Sequence, residues 1–221
     1  VNAMNPQIMK AEGAGERQKM IRLCAYESKY AFLLLAMVVI PLIAEMETIL
    51  HVWLGEVPVH AVMFCRFILI AALCDQISIG WTSANQAIGK IRTYSIIFYT
   101  LKLFVILIAW WCLQEGLPII SVMWGYVAIE FIGSFVRLPL MKHIANIPIT
   151  PFFKNVFLRI IGPLATMVVV CYSSAILIDI PYRLIITFSC SLVVGVLSIW
   201  GFALNIEEKQ YVKNIIKKLK K

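Results

Sequence analysis

Six long apolar stretches separated by short polar loops dictate what this 221-residue chain can fold into. They cover residues 30–54, 60–88, 93–113, 118–141, 156–178 and 182–204. Each supplies the roughly 20 residues a helix needs to cross a hydrocarbon layer ~30 Å thick. Positive charge falls in every second loop: Lys10 to Lys29, then Lys90 and Arg92, then Arg137 to Arg159, then the C-terminal lysines. Of the 20 Lys and Arg residues, 17 fall on that side, with Arg137 and Arg159 at span ends, Arg183 lies alone on the other side, and Arg66 and Lys102 lie deeper inside spans. By the positive-inside rule this predicts an all-α integral membrane protein with six crossings and both termini cytoplasmic.

Composition agrees. A chain that is 61% apolar and 14% charged is not a soluble globular domain. The net charge of +8 follows from topology, and no basic patch is interleaved with aromatics, so nucleic acid is not an expected partner. Five of the six cysteines lie in spans and Cys24 lies in the first cytoplasmic loop. Cys65 and Cys74 stand about 13 Å apart along one helix, too far to bridge, and read as small buried hydrophobes. His51, His60 and His143 are isolated, and no phosphate-binding glycine loop or nucleophile elbow occurs. The chain therefore reads as a non-enzyme without cofactor or metal, with coupling to H+ or Na+ left open.

The organisation follows from the spans. Residues 1–29 are expected to be a cytoplasmic loop with a short amphipathic segment, and residues 30–141 four transmembrane helices. A cytoplasmic loop at 142–155 precedes two apolar helices within 156–204. The tail, 205–221, sets Val212, Ile215, Ile216 and Leu219 at helical spacing among lysines. That is a basic amphipathic helix suited to anionic membrane lipids. Pro41 predicts a kink in the first span. The chain opens on Val1 and is expected to be the C-terminal part of a longer protein.

Polar residues inside spans are costly and mark functional candidates. At about 100° per residue, Asp75, Ser78, Thr82, Asn85 and Gln86 share one face of the second span. Ser95, Tyr99 and Lys102 share a face of the third, and Tyr126, Glu130, Ser134 and Arg137 form a stripe on the fourth. All three stripes run from the cytoplasmic side toward the midplane, which predicts a hydrated vestibule. Interhelical glue, with Lys102 and Glu130 paired, is the competing explanation. Arg66 lies about 180° around its helix from Asp75, near the outer end and within snorkelling reach of the interface. The last two spans carry no deep ionisable residue and are expected to be peripheral and lipid-facing.

Three segments carry a resemblance. Asn5-Pro-Gln-Ile-Met-Lys10, followed by Gly13 and Gly15, resembles a junction in Wzx-type polysaccharide flippases, relatives of the multidrug MATE exporters and lipid II flippases. Ala84-Asn-Gln-Ala-Ile-Gly-Lys-Ile-Arg92 and Trp53-Leu-Gly-Glu-Val-Pro58 are similar to later loops of the same group. The resemblance implies helices nine to fourteen of a two-lobe transporter in the bacterial inner membrane. Its substrate would be a lipid-linked oligosaccharide for cell-surface polysaccharide such as lipopolysaccharide O-antigen, moved by alternating access against the N-terminal lobe of the same protein. It implies that Lys102, and next Arg66, attract the pyrophosphate, with Asp75 and Glu130 as coupling carboxylates or as partners of those cations. Tyr99, Asn85 and Gln86 would complete the cavity. A MATE-like multidrug or cation exporter, favouring an acidic cavity, is one alternative. A membrane-embedded glycan-assembly enzyme is another, although its usual long outer loop is lacking here. A non-transporting scaffold would have no use for three stripes.

Overall fold

The computed structural model describes residues 4–145, 152–177, 183–205 and 208–210, all helices and connecting turns with no strand among them. The amphipathic tail expected at 205–221 falls largely outside the described residues. Five helices are long and apolar enough to cross a membrane. A sixth span arises if the bent pair Ala61–Gln76 and Ile79–Ile88 crosses as one unit.

The first helix, α1 (Asn5–Gly13), starts at a proline, whose missing N–H costs nothing in a first turn, and ends in a turn at Gly15 with φ +74°. Next comes α2 (Arg17–Ala44), a single helix of 28 residues. It corrects one expectation: no separate surface helix covers 17–29, because the helix that carries the first apolar stretch already begins at Arg17. Charged residues end a hydropathy window but not a helix, because Arg, Gln, Lys and Met are good helix formers. Met20, Cys24, Glu27, Ser28 and Lys29 are buried against neighbouring helices rather than laid on a surface.

The expected Pro41 kink is realised as a helix end. The chain leaves α2 at Glu45, whose N–H bonds Pro41 O, and restarts as α3 (Met46–Leu54). Pro41 has no N–H for the Met37 carbonyl one turn earlier. The Ser191 hydroxyl takes that carbonyl instead, at 3.5 Å.

The second apolar stretch is broken. The helix α4 (Ala61–Gln76) stops at Ile77, and α5 (Ile79–Ile88) departs at 45°. Beyond it lie α6 (Ile91–Gln114) and α7 (Ile119–Ala145). A π-helical turn, Phe153–Phe157, leads into α8 (Leu158–Leu177). The last long helix, α9 (Arg183–Ser198), ends in a π-helical turn at Ile199–Ala203.

The central helix is α2, with 67% of its membrane-length window buried, against 11% for α6. On one side it packs against α4 and α5, which carry α7 and then α6; on the other it packs against α8 and α9. Lipid is as apolar as leucine, so apolar surface alone does not hold such helices together; close packing and polar contacts do. Gly80 of α5 shows how close: a Cβ there would lie 1.9 Å from the Cys24 carbonyl oxygen of α2. The Gly80 N–H in turn donates to Ser28 Oγ at 2.9 Å.

The last two helices are peripheral by burial, with 28% and 22% of their membrane-length windows buried against 67% for α2, yet each docks through a defined face. Thr187, Ser191, Gly195 and Ser198 of α9 form a buried small-residue face, and Gly195 abuts Met37 and Met167. Ile160, Met167 and Cys171 of α8 share one core with Phe32 to Ile40 of α2. Ion pairs then fasten both ends. Arg183 grips Glu45 at 3.0 Å and Thr48 at 2.9 Å, with Thr187 also donating to Glu45. Lys29 holds Glu208 at 2.5 and 2.8 Å. An apolar interior in α8 and α9 hid this, because their docking groups are hydroxyls and end residues.

Candidate functional site

The break between α4 and α5 frees backbone groups that a straight helix would satisfy internally. In a medium without water such groups need other partners, and α7 supplies them. Ser134 Oγ donates to Cys74 O. Arg137 Nη1 donates to Asp75 O at 3.2 Å and to Ser78 Oγ at 2.9 Å, and Nη2 donates to the Asp75 carboxylate at 2.6 Å. The planar guanidinium also lies 4.1 Å from the Phe98 ring centroid of α6. One buried arginine therefore ties α7 to both sides of the break and to α6.

Beside this brace is a cavity of about 360 Å3 bounded by α4, α5, α6 and α7. Asp75, Thr82, Asn85, Gln86, Ser95, Tyr99, Lys102 and Arg137 line it. The stripes read from the second and third spans thus meet in one space, joined from the fourth by Arg137 alone, although α4 and α5 are not the continuous helix that the phase argument assumed. Lys102 Nζ lies 3.0 Å from Glu130 Oε1 and over the Phe98 ring at 4.8 Å. Its side chain keeps 35% exposure, against 6% for Glu130. Thr82 and the Tyr94 hydroxyl bond across the α5–α6 junction at 2.8 Å. Gly89 closes α5 at φ +79°, a backbone conformation suited to glycine, and turns the chain into α6.

Four buried polar atoms at this end of the molecule have no hydrogen-bond partner among the described residues: Gln76 Oε1, Asn85 Oδ1, Glu130 Oε2 and Arg137 Nε. Buried polar atoms in a stable interior are normally paired, so these four leave the site with hydrogen-bonding capacity to spare.

Of the sequence candidates, Lys102, Asp75, Tyr99, Asn85 and Gln86 line the cavity, and Glu130 stands behind Lys102 as its counter-ion. Arg66 is elsewhere. Its Nε donates to Ile43 O at 3.0 Å, a carbonyl freed where α2 ends. It is a backbone cap, which the sequence could not show because the break at Glu45 carries no glycine. Arg137 was read only as the end of a stripe, yet it organises the site. The signal available was its i+3 spacing from Ser134, matched by Asp75 and Ser78 on the facing span. Among the described residues no three His, Cys, Asp or Glu side chains gather as a metal site.

No family, no curated protein and no solved structure matches this chain.

Proposed function

We propose that this chain lines the pathway of a flippase that carries a polyprenyl-pyrophosphate-linked oligosaccharide across the bacterial inner membrane for surface polysaccharide synthesis. In this reading α4 and α5 cross as one bent span, giving six crossings with both termini cytoplasmic. An N-terminal lobe of the same protein forms the facing wall, as the family resemblance implies. The observation that carries the reading is the polar cavity beside a broken helix, holding two cations that are each braced by a carboxylate.

The chemistry suits such a substrate. Lys102 is the more reachable cation, and Glu130 keeps its ammonium in place until a diphosphate replaces the carboxylate as partner. Arg137, shielded and engaged at three points, holds the cavity wall rather than meeting the substrate first. Asn85, Gln86 and Ser95 offer the amides and hydroxyls that sugar hydroxyls require, and Tyr99 offers a ring face. Broken helices at such sites let one wall rock while backbone groups remain satisfied.

The test is complementation of a deletion strain, reading surface polysaccharide. Lys102→Gln is expected to abolish export at unchanged protein level, while Lys102→Arg keeps part of it. Full export by Lys102→Gln would remove that residue from the pathway. Normal surface polysaccharide in the deletion strain itself would sink the flippase reading.

A further inference from the structure

Among the carboxylates inside the bundle, Glu27 stands apart. Asp75 is held by Arg137, Glu130 by Lys102 and Glu45 by Arg183. Glu27 is 2% exposed, and neither of its carboxyl oxygens has a hydrogen-bond partner among the described residues. It sits one residue before Ser28, which accepts the Gly80 N–H, and one turn after Cys24, whose carbonyl abuts Gly80. That is the tightest crossing of α2 with α5, with no room for the Glu27 side chain to reach solvent through it.

Among the described residues, the charged groups on the surrounding elements are already engaged or turned away. On α2 itself, Lys29 is bound to Glu208, and Cys24 is a buried thiol. On α1, Glu12 is paired with Arg17 at 2.6 Å, and Lys10 is exposed. On α4, Asp75 belongs to Arg137, and from the π-turn and α8, Lys154 is exposed while Arg159 turns to Ala203 O at 3.5 Å. No residue of α5 is ionisable; the Ser83 hydroxyl faces Glu27 but lies outside good hydrogen-bond geometry.

We propose that Glu27 is a proton-binding site, neutral in this conformation, whose deprotonation separates α2 from α5. An unpaired carboxylate in such surroundings is strongly disfavoured, so the site holds a proton while the crossing is closed. Loss of that proton creates a charge that demands water, and the demand is met only by opening the crossing. The helix that moves is α5, which carries Thr82, Asn85 and Gln86 of the cavity wall. Glu27, and not the paired Asp75 or Glu130, is then the carboxyl that couples proton binding to the cavity. This coupling step rests on the transport reading; the protonation state does not.

The experiment is infrared difference spectroscopy of the whole protein in lipid nanodiscs, titrated from acid to mildly alkaline pH. The parent protein is expected to show a protonated-carboxyl carbonyl band that persists above the pH at which exposed carboxyls ionise and vanishes in Glu27→Gln. An amide is nearly isosteric with a neutral carboxyl, so this variant is expected to fold and to lose the pH dependence of α2–α5 separation, followed by paired spin labels. A band that survives in Glu27→Gln overturns the site, and so does a variant that cannot fold, since that would show the ionised form is needed. Export assays then test the coupling separately: a pH-dependent parent rate that becomes flat in Glu27→Gln supports it, and an unchanged pH profile overturns it. Absence of export in the parent would count against the flippase reading alone.

Discussion

The two flanks of α2 treat polar groups in opposite ways. Toward α8 and α9 the polar contacts are closed: Glu45 receives bonds from Arg183, Thr48 and Thr187, Lys29 is matched by Glu208, and Ser191 takes the Met37 carbonyl. Toward α4–α7 they are only partly closed, with Asn85, Gln76, Glu130 and Arg137 each keeping an unpaired atom beside a cavity. A saturated network rigidifies, whereas a partly satisfied one leaves capacity for another molecule. The same helix therefore anchors a closed polar network on one flank and borders an incompletely paired one on the other.

The largest expected effect comes from cutting the joint between the flanks. Gly80→Ala sets a methyl group against the Cys24 carbonyl, and backbone cannot step aside as a side chain can. A loss of more than about 3 kcal/mol is expected, beyond ordinary overpacking, read as failure to recover folded protein in detergent. Next is Glu45→Ala on the saturated flank, which strands Arg183 and two threonines. Arg183 is partly exposed, so about 2–4 kcal/mol is expected in reversible unfolding from mixed micelles. Arg137→Met on the open flank should cost less, about 1–3 kcal/mol, because Asp75 is exposed enough to rehydrate. If Arg137→Met proves the more damaging of the two, the contrast between flanks fails. The smallest effect on stability is expected for Lys102→Gln, about 1 kcal/mol, because the half-buried glutamine amide can still donate to Glu130. Its effect on export is expected to be complete, and that divergence separates a working residue from a structural one.

Much of this arrangement is legible in the residues. Period and charge place the apolar helices, and the helical phase of Ser95, Tyr99 and Lys102, or of Glu130 and Ser134, already puts the right side chains on facing surfaces. The pairing of Lys102 with Glu130 follows from the same phase. What the residues concealed are the breaks. Ile77 is neither glycine nor proline, so the 45° bend arises from tertiary contacts, and Pro41 announces a disturbance of α2 without fixing its end at Glu45; Arg137 and Arg66 donate to the freed carbonyls. An arginine that caps backbone looks, in a sequence, the same as one that awaits an anion. The burial of residues 20–29 was hidden because hydropathy averages over a helix, whereas packing selects one of its faces.

The Met37 carbonyl bears on how the protein is made. Pro41 leaves that group without its intrahelical partner, and the partner it finds, Ser191, is synthesised some 150 residues later. A ribosome emitting at ~5–20 residues per second delivers that hydroxyl roughly 7–30 s after α2 has left the exit tunnel. Throughout that interval the nascent helix carries an open acceptor that lipid cannot fill. It must wait beside the insertion machinery, or with water in attendance, until α9 arrives to complete it.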